Sequence, residues 1–290
     1  MIITRVEPIP LRIPFKAGNA SDASAWGDSN LPAADSLLVK VTTDQGLIGW
    51  GEAFGFRAVA SAKLAIDQLI APLCIGQDAT RIEPLMLDVQ KKLHVFGRGG
   101  ALAFAISAVD IALWDIAGKA ANMPLCRLLG GGATDLACYA SLVRYSDPSL
   151  VRTSVRQAIE AGFDTLKLHE IEISAIRAAR DEAGFDIDLT LDVNCPWTLT
   201  QARAIADDLK TIDLKWLEEP LWPPENFDGL AELRRVTGIP IAAGADNNDV
   251  KHVFHKFLGC GYRITSTAPV PRGLKQEPGT PLGFIDPIFQ

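Results

Sequence analysis

Lys167 and His169 stand two residues apart in the stretch FDTLKLHE, residues 163–170. Side chains alternate across a strand, so the two bases share one face and Leu168 takes the other. Two further apolar stretches close on acidic groups. DIDLTLDVN ends in Asp192 and Asn194, and LKWLEEP ends in Glu218 and Glu219 before Pro220. A fourth stretch, IPIAAGA, is followed by Asp246. Carboxylates from neighbouring strands can share a hard cation such as Mg²⁺, which takes oxygen ligands and keeps water or substrate oxygens in its shell. A Lys or His facing that cation can remove a proton next to a carboxylate, because the cation holds the charge that results. Each residue also has a plainer role. Lys167 and His169 fit a solvated strand end, Asp192 can close the turn that follows it, and Glu218 and Glu219 fit a solvated loop edge. Taken singly, the plainer roles win. At one end of consecutive strands, the cation-and-base reading is the stronger.

The rest of the chain must supply those strands. Residues 2–13, 37–43 and 47–53 read as strands, the last entered through the turn TDQG, so an antiparallel meander opens the chain. Between the first two strands, a small polar stretch at about 16–30 is long enough to cover a site. Helical spacing follows at 58–73, 82–94 and 101–121, the last apolar nearly all round and so expected to pack on several sides. This predicts an α+β unit over residues 1–132, ending in the glycine run Gly130–Gly132.

A strand–helix alternation then begins. Strands are predicted in DLACYAS, FDTLKLHE, DIDLTLDVN, LKWLEEP and IPIAAGA, with helices at 148–161, 172–184, 199–210, 225–236 and 248–258. That rhythm means βα units around a parallel sheet over residues 133–260, either an incomplete barrel or a doubly wound sheet. No GxGxxG follows a strand, which weakens a dinucleotide-binding reading. Residues 261–290 hold five prolines and four glycines and are predicted to be an irregular tail.

Composition narrows the function classes. The chain has 290 residues, 48% of them hydrophobic and 22% charged, as in a globular protein. A net charge of −7 argues against nucleic acid or an anionic membrane as partner. No signal-like start is visible and no apolar run reaches membrane-spanning length, so a cytoplasmic protein is expected. The five cysteines are scattered without CxxC spacing, which fits reduced thiols.

These motifs, in this order, resemble the mandelate racemase/muconate lactonizing enzyme family of the enolase superfamily. The residues that carry the resemblance are Lys167-Leu168-His169, Asp192-Val193-Asn194, Trp216-Leu217-Glu218-Glu219-Pro220 and Ile239 to Gly244. Gly49-Trp50-Gly51-Glu52-Ala53, Asp110 to Asp115, Gly118-Lys119, Pro124-Leu125 and Leu128 to Gly131 also match, so the likeness covers about residues 1–258. It implies an α+β capping domain followed by an enolase-superfamily (β/α)-barrel, incomplete here, with the active site between them. It further implies Mg²⁺ as cofactor and abstraction of the proton α to a carboxylate, by a racemase or dehydratase of a hydroxy acid or acid sugar. Lys167 and His169 then correspond to the acid/base groups, Asn194 to a substrate contact, and Asp192 and Glu218 to metal ligands.

The pattern breaks in two places. The family usually carries Ala-x-Gly-Glu at the end of the fifth barrel strand, and its glutamate is the third metal ligand. This chain has Ala242-Ala243-Gly244-Ala245, which leaves the displaced Asp246 as the remaining candidate. The later strands of the family give way to the Pro/Gly-rich tail, as in a truncated or frameshifted member. An alternative reading follows, a catalytically impaired remnant that binds Mg²⁺ weakly. An open barrel edge would favour homo-oligomers.

Overall fold

The computed structural model describes residues 1–14, 33–132 and 137–243. The polar stretch at 16–30, Ala245 and Asp246, the helix predicted at 248–258 and the tail at 261–290 all lie outside the described residues. The chain forms two compact units, one holding residues 1–14 and 33–132, the other residues 137–243.

The first unit is built on three antiparallel strands in the order β1 (Ile3–Pro14), β2 (Ala33–Thr43) and β3 (Ile48–Ala53). Helix α1 (Val59–Ala65) continues through a wider turn at Ile66–Ile70 into α2 (Ala71–Cys74), and α3 (Ile82–Lys92) follows. The long α4 (Gly100–Ala120) then packs on the meander, and a short α5 (Leu125–Leu128) closes the unit. Alternation on β2 buries Leu37, Val39 and Val41 against Val109, Ala112, Leu113 and Ile116 of α4.

Two glycines of the GWGEA motif make this packing possible. A Cβ on Gly49 would stand 2.0 Å from the Ala112 carbonyl oxygen, and one on Gly51 would stand 1.9 Å from that of Ala108. The helix backbone therefore rests directly on the strand. Two polar clasps hold it there. The Trp50 amide donates to Asp115 (2.8 Å), and Lys119 donates to the Ile48 carbonyl (2.9 Å) while pairing with Asp115 (2.6 Å). Contrary to expectation, α4 is long and apolar enough to cross a membrane by length and composition. Its apolar character instead serves the core, because it buries residues from Leu102 to Ile116.

The second unit is a five-stranded parallel sheet. Its strands are β4 (Ala140–Ser141), β5 (Thr165–Leu168), β6 (Asp188–Asp192), β7 (Leu214–Glu218) and β8 (Ile241–Ala242), in chain order from one edge to the other. The connecting helices are α6 (Pro148–Glu160), α7 (Ile173–Ala183), α8 (Leu199–Ala204), α9 (Ala206–Lys210) and α10 (Phe227–Thr237). A doubly wound sheet needs a point where the strand order reverses. Among the described strands this order does not reverse, which is the barrel-type arrangement.

Two expectations need correction. Among the described residues of DLACYAS, strand pairing is confined to Ala140–Ser141, and the expected single helix at 199–210 breaks at Ile205 into two. The first of them begins with a full capping box, in which Thr198 and Gln201 each satisfy the other's backbone amide.

Leu166, Leu168, Leu189, Leu191 and Leu217 pack on Val151, Val155, Ile176, Ala179, Leu230 and Leu233 of the helices, all almost wholly buried. At the strand entrances, the Arg180 guanidinium donates to the carbonyls of Ile187 (2.8 Å), Ile212 (2.7 Å) and Asp213 (2.9 Å). It thereby ties the approach to β6 to the approach to β7. Of the cysteines described, Cys74 is buried and Cys126 exposed, both as free thiols.

Candidate active site

The exits of β5, β6 and β7 gather the polar groups. Register places Asp192 opposite Glu218 and Lys167 opposite Thr190, so the three strands end nearly level. The Lys167 ammonium lies 2.8 Å from Asp192 Oδ2 and 3.2 Å from Glu218 Oε1. His169 Nε2 reaches to 3.7 Å from the same Asp192 oxygen. Lys167, His169 and Asp192 are all buried, at 3%, 6% and 4% exposure, so these charges interact in a medium far less screening than water. Lys167 and His169 do share one side of the strand exit. A solvated strand end is excluded by their burial.

Each carboxylate divides its two oxygens. Asp192 Oδ1 accepts from the Asn194 backbone amide (3.0 Å) and side-chain amide (2.9 Å), while Oδ2 faces the bases. One side chain thus both closes the turn and faces the bases. Glu218 Oε2 accepts from the Trp216 indole (3.1 Å), and Oε1 faces Lys167. Trp216 stacks edge-on against Tyr139, whose ring lies 5.9 Å from the Lys167 ammonium. Burial pulls the Lys167 ammonium down, but the Asp192 and Glu218 carboxylates outweigh it, and the group is held well above the usual lysine range.

The expected loop edge at Glu218-Glu219 is not found. Glu219 is only 5% exposed, and it takes a left-handed backbone (φ 47°). Its amide donates to the Ala242 carbonyl (2.9 Å) and its carbonyl accepts from the Cys195 amide (2.6 Å). Asn194 and Cys195 are left-handed too, at φ 55° and 56°. Backbone held in this region by non-glycine residues stores strain and clusters at functional loops.

Four residues here carry roles that strand-end reading does not reach. Tyr139 and Trp216 orient Lys167 and Glu218. Arg144 and Glu170 brace His169, the first through a bond from its Nε to the His169 carbonyl (2.7 Å). A Glu adjoining Lys-x-His is the sequence sign of the last.

A hard cation fits this donor set. Two carboxylate oxygens from adjacent strands already converge on one positive charge, and the Asn194 side-chain oxygen is buried without a hydrogen-bond partner. Among the described residues no third carboxylate, histidine or cysteine joins the pair. Asp246, the expected third ligand, lies outside them.

Family models match both parts of the chain. Residues 29–130 match the mandelate racemase/muconate lactonizing enzyme N-terminal domain, and residues 150–259 match the enolase C-terminal domain-like family. The chain is 31% identical over 246 residues to a 3,6-anhydro-alpha-L-galactonate cycloisomerase of Streptomyces coelicolor, covering 81% of this chain and 66% of that protein. It is 29% identical over 215 residues to an arabinonate dehydratase of Saccharolobus solfataricus, covering 71% of this chain and 57% of that one. The chain thus spans less than two thirds of the length of both relatives. A crystal structure of a racemase from Streptomyces coelicolor A3(2) with bound magnesium superposes with a TM-score of 0.79 at 28% identity, covering 90% of this chain and 73% of that one. With both family models matched in order, and with the meander, the parallel sheet and the polar strand exits in place, the chain belongs to the mandelate racemase/muconate lactonizing enzyme family of the enolase superfamily.

Proposed function

We propose that this chain abstracts the proton α to the carboxylate of an acid sugar in a Mg²⁺-dependent reaction, as part of a dehydratase or cycloisomerase. The observation that carries the reading is the convergence of Asp192 and Glu218 on one positive charge, with His169 on the same side. The relatives that act on galactonate and arabinonate derivatives point to the substrate class. Asp192, Glu218 and the displaced Asp246 are the residues assigned to hold the metal. Mg²⁺, when bound, neutralises the negative charge that builds on the substrate carboxylate as the α-proton leaves.

The chain's own groups supply the proton chemistry. His169 presents Nε2 toward the site, because its Nδ1 is engaged by the Leu142 carbonyl at 2.6 Å. A carbonyl only accepts, so Nδ1 carries the hydrogen and Nε2 of the neutral ring is the basic atom. Lys167 carries its proton beside the two carboxylates and serves as the cationic partner that steadies the substrate's charge. Asn194 offers its unpaired side-chain oxygen to a substrate hydroxyl. Tyr139 and Trp216 fix these groups in advance, so little is lost in ordering them when substrate arrives.

The alternative of an impaired remnant gains no support from the relatives, and the described part of the site is assembled. A panel of aldonic and anhydro-aldonic acids, galactonate and arabinonate among them, tests the reading with Mg²⁺ present. A 3-deoxy-2-keto acid or a ring-rearranged isomer is the expected product with at least one member. Turnover that proceeds equally in a chelator would overturn it.

A further inference from the structure

The residue after His169 has a bonding pattern that the proton chemistry does not use. Glu170 is 1% exposed and lies two residues past the end of β5. Its two oxygens accept from the backbone amides of Tyr145 (2.7 Å) and Ser146 (3.0 Å), in the loop after β4. Ser146 takes a left-handed backbone, φ 59°, and the bond from its own amide to Glu170 holds it there.

The start of the same loop touches His169 and Lys167. The Leu142 amide donates to the Lys167 carbonyl (2.8 Å), and the Leu142 carbonyl accepts from His169 Nδ1 (2.6 Å). Arg144 spans the interval, donating through Nε to the His169 carbonyl (2.7 Å). Residues 142–146 are therefore bonded to residues 167–170 at both ends and in the middle. Glu170 contributes two of those bonds from one side chain. Burial pushes the Glu170 carboxyl up, the two amides and the Arg144 guanidinium pull it back, and the amide bonds gain strength when it is ionised. Losing it leaves two amides without their acceptor and frees the loop to shift away from the imidazole.

We propose that Glu170 is a positioning residue that keeps the Leu142 carbonyl on His169 Nδ1 and so holds the imidazole in the tautomer that presents a basic Nε2. The proposal rests on the reading of His169 as an acid/base group for its catalytic meaning. Free imidazole side chains favour the opposite tautomer, with the hydrogen on Nε2. A bracket that opposes that preference sets which nitrogen is available for a proton.

The full chain, labelled with ¹⁵N-histidine, gives a direct test, because it contains four histidines and His169→Asn identifies the signals that matter. At pH 9, well above the ordinary histidine range of about 6.5, wild type is expected to show His169 Nδ1 protonated and Nε2 bare. Glu170→Ala is expected to move the ratio at least threefold toward the Nε2–H form. Glu170→Gln, which keeps the size but offers only one acceptor oxygen, is expected to lie between. If the alanine variant does not fold by circular dichroism, the glutamine variant alone decides. A wild-type tautomer ratio in every folded variant, or an Nε2–H tautomer in wild type, overturns the proposal. Proton exchange measured on the same samples separates the two ideas. Wild type inactive on all sugar acids would tell against the proposed function and leave the tautomer result standing.

Discussion

Replacing Lys167 with alanine is expected to slow exchange of the substrate's α-proton by roughly 10²–10³-fold, the range lost with one preorganised charge-stabilising group. The same change is expected to destabilise the metal-free protein sharply. Lys167 is 3% exposed and neutralises two carboxylates that are themselves largely withdrawn from solvent. Removing one side of a buried ion pair costs about 3–5 kcal/mol, because the charges left behind have neither water nor partner. A divalent cation held by Asp192 and Glu218 would take over that duty, so Mg²⁺ should restore much of the lost stability in the variant and add less to wild type. Thermal unfolding of both proteins in chelator and in Mg²⁺ measures this. A variant as stable as wild type in chelator would mean that the carboxylates do not depend on the ammonium.

The sign of the pH dependence follows from the same contacts. The folded state raises the lysine above its ordinary range, so its contribution is complete at neutral pH. That contribution is lost only as the pH climbs from about 10.4 through the raised folded value.

Gly51→Ala is expected to have the largest effect on the first unit. The added methyl would meet the Ala108 carbonyl oxygen at 1.9 Å, and that atom belongs to the helix backbone, so no side-chain rotation relieves the clash. Either α4 moves off β3 or the strand bends. Overpacking of a filled core costs typically 1–3 kcal/mol, and the bonds from Trp50 and Lys119 to Asp115 and the Ile48 carbonyl would lengthen with it. For a unit of about a hundred residues, each kcal/mol lowers Tm by about 4–8 °C. Calorimetry of the variant should show the shift. Gly46→Ala makes the control for a different cause of loss, since its φ of 80° is strained for alanine although its Cβ meets nothing. Equal small losses at both positions would show that close approach of α4 is not what Gly51 provides.

Lys167, His169, Asp192 and Glu218 were legible because strand alternation and strand-end position are properties of local sequence. So was the parallel sheet, whose strands recur at βα spacing. The GWGEA motif could be named from resemblance, but its reason is tertiary. Only the distance from Gly49 and Gly51 to the α4 backbone explains why no side chain fits there. Glu219 could not be told from a loop edge, because a pair of glutamates before proline reads the same whether buried or solvated. Arg144 left no sign in the sequence and Glu170 only its place beside Lys-x-His, since their partners are backbone atoms of a segment some 25 residues away in sequence. Side-chain bonds to backbone leave no pairing signal in the partner's residue type.

The most direct measurement of the account is deuterium incorporation from D₂O at the α-carbon of sugar acids, followed by mass spectrometry. It reads proton abstraction alone, independent of any later loss of hydroxide or ring rearrangement. The account predicts incorporation with Mg²⁺ in at least one aldonic or anhydro-aldonic acid. That incorporation should vanish in chelator and in the Lys167→Ala, His169→Ala double variant. Incorporation that continues undiminished in the double variant would contradict the assignment of the site.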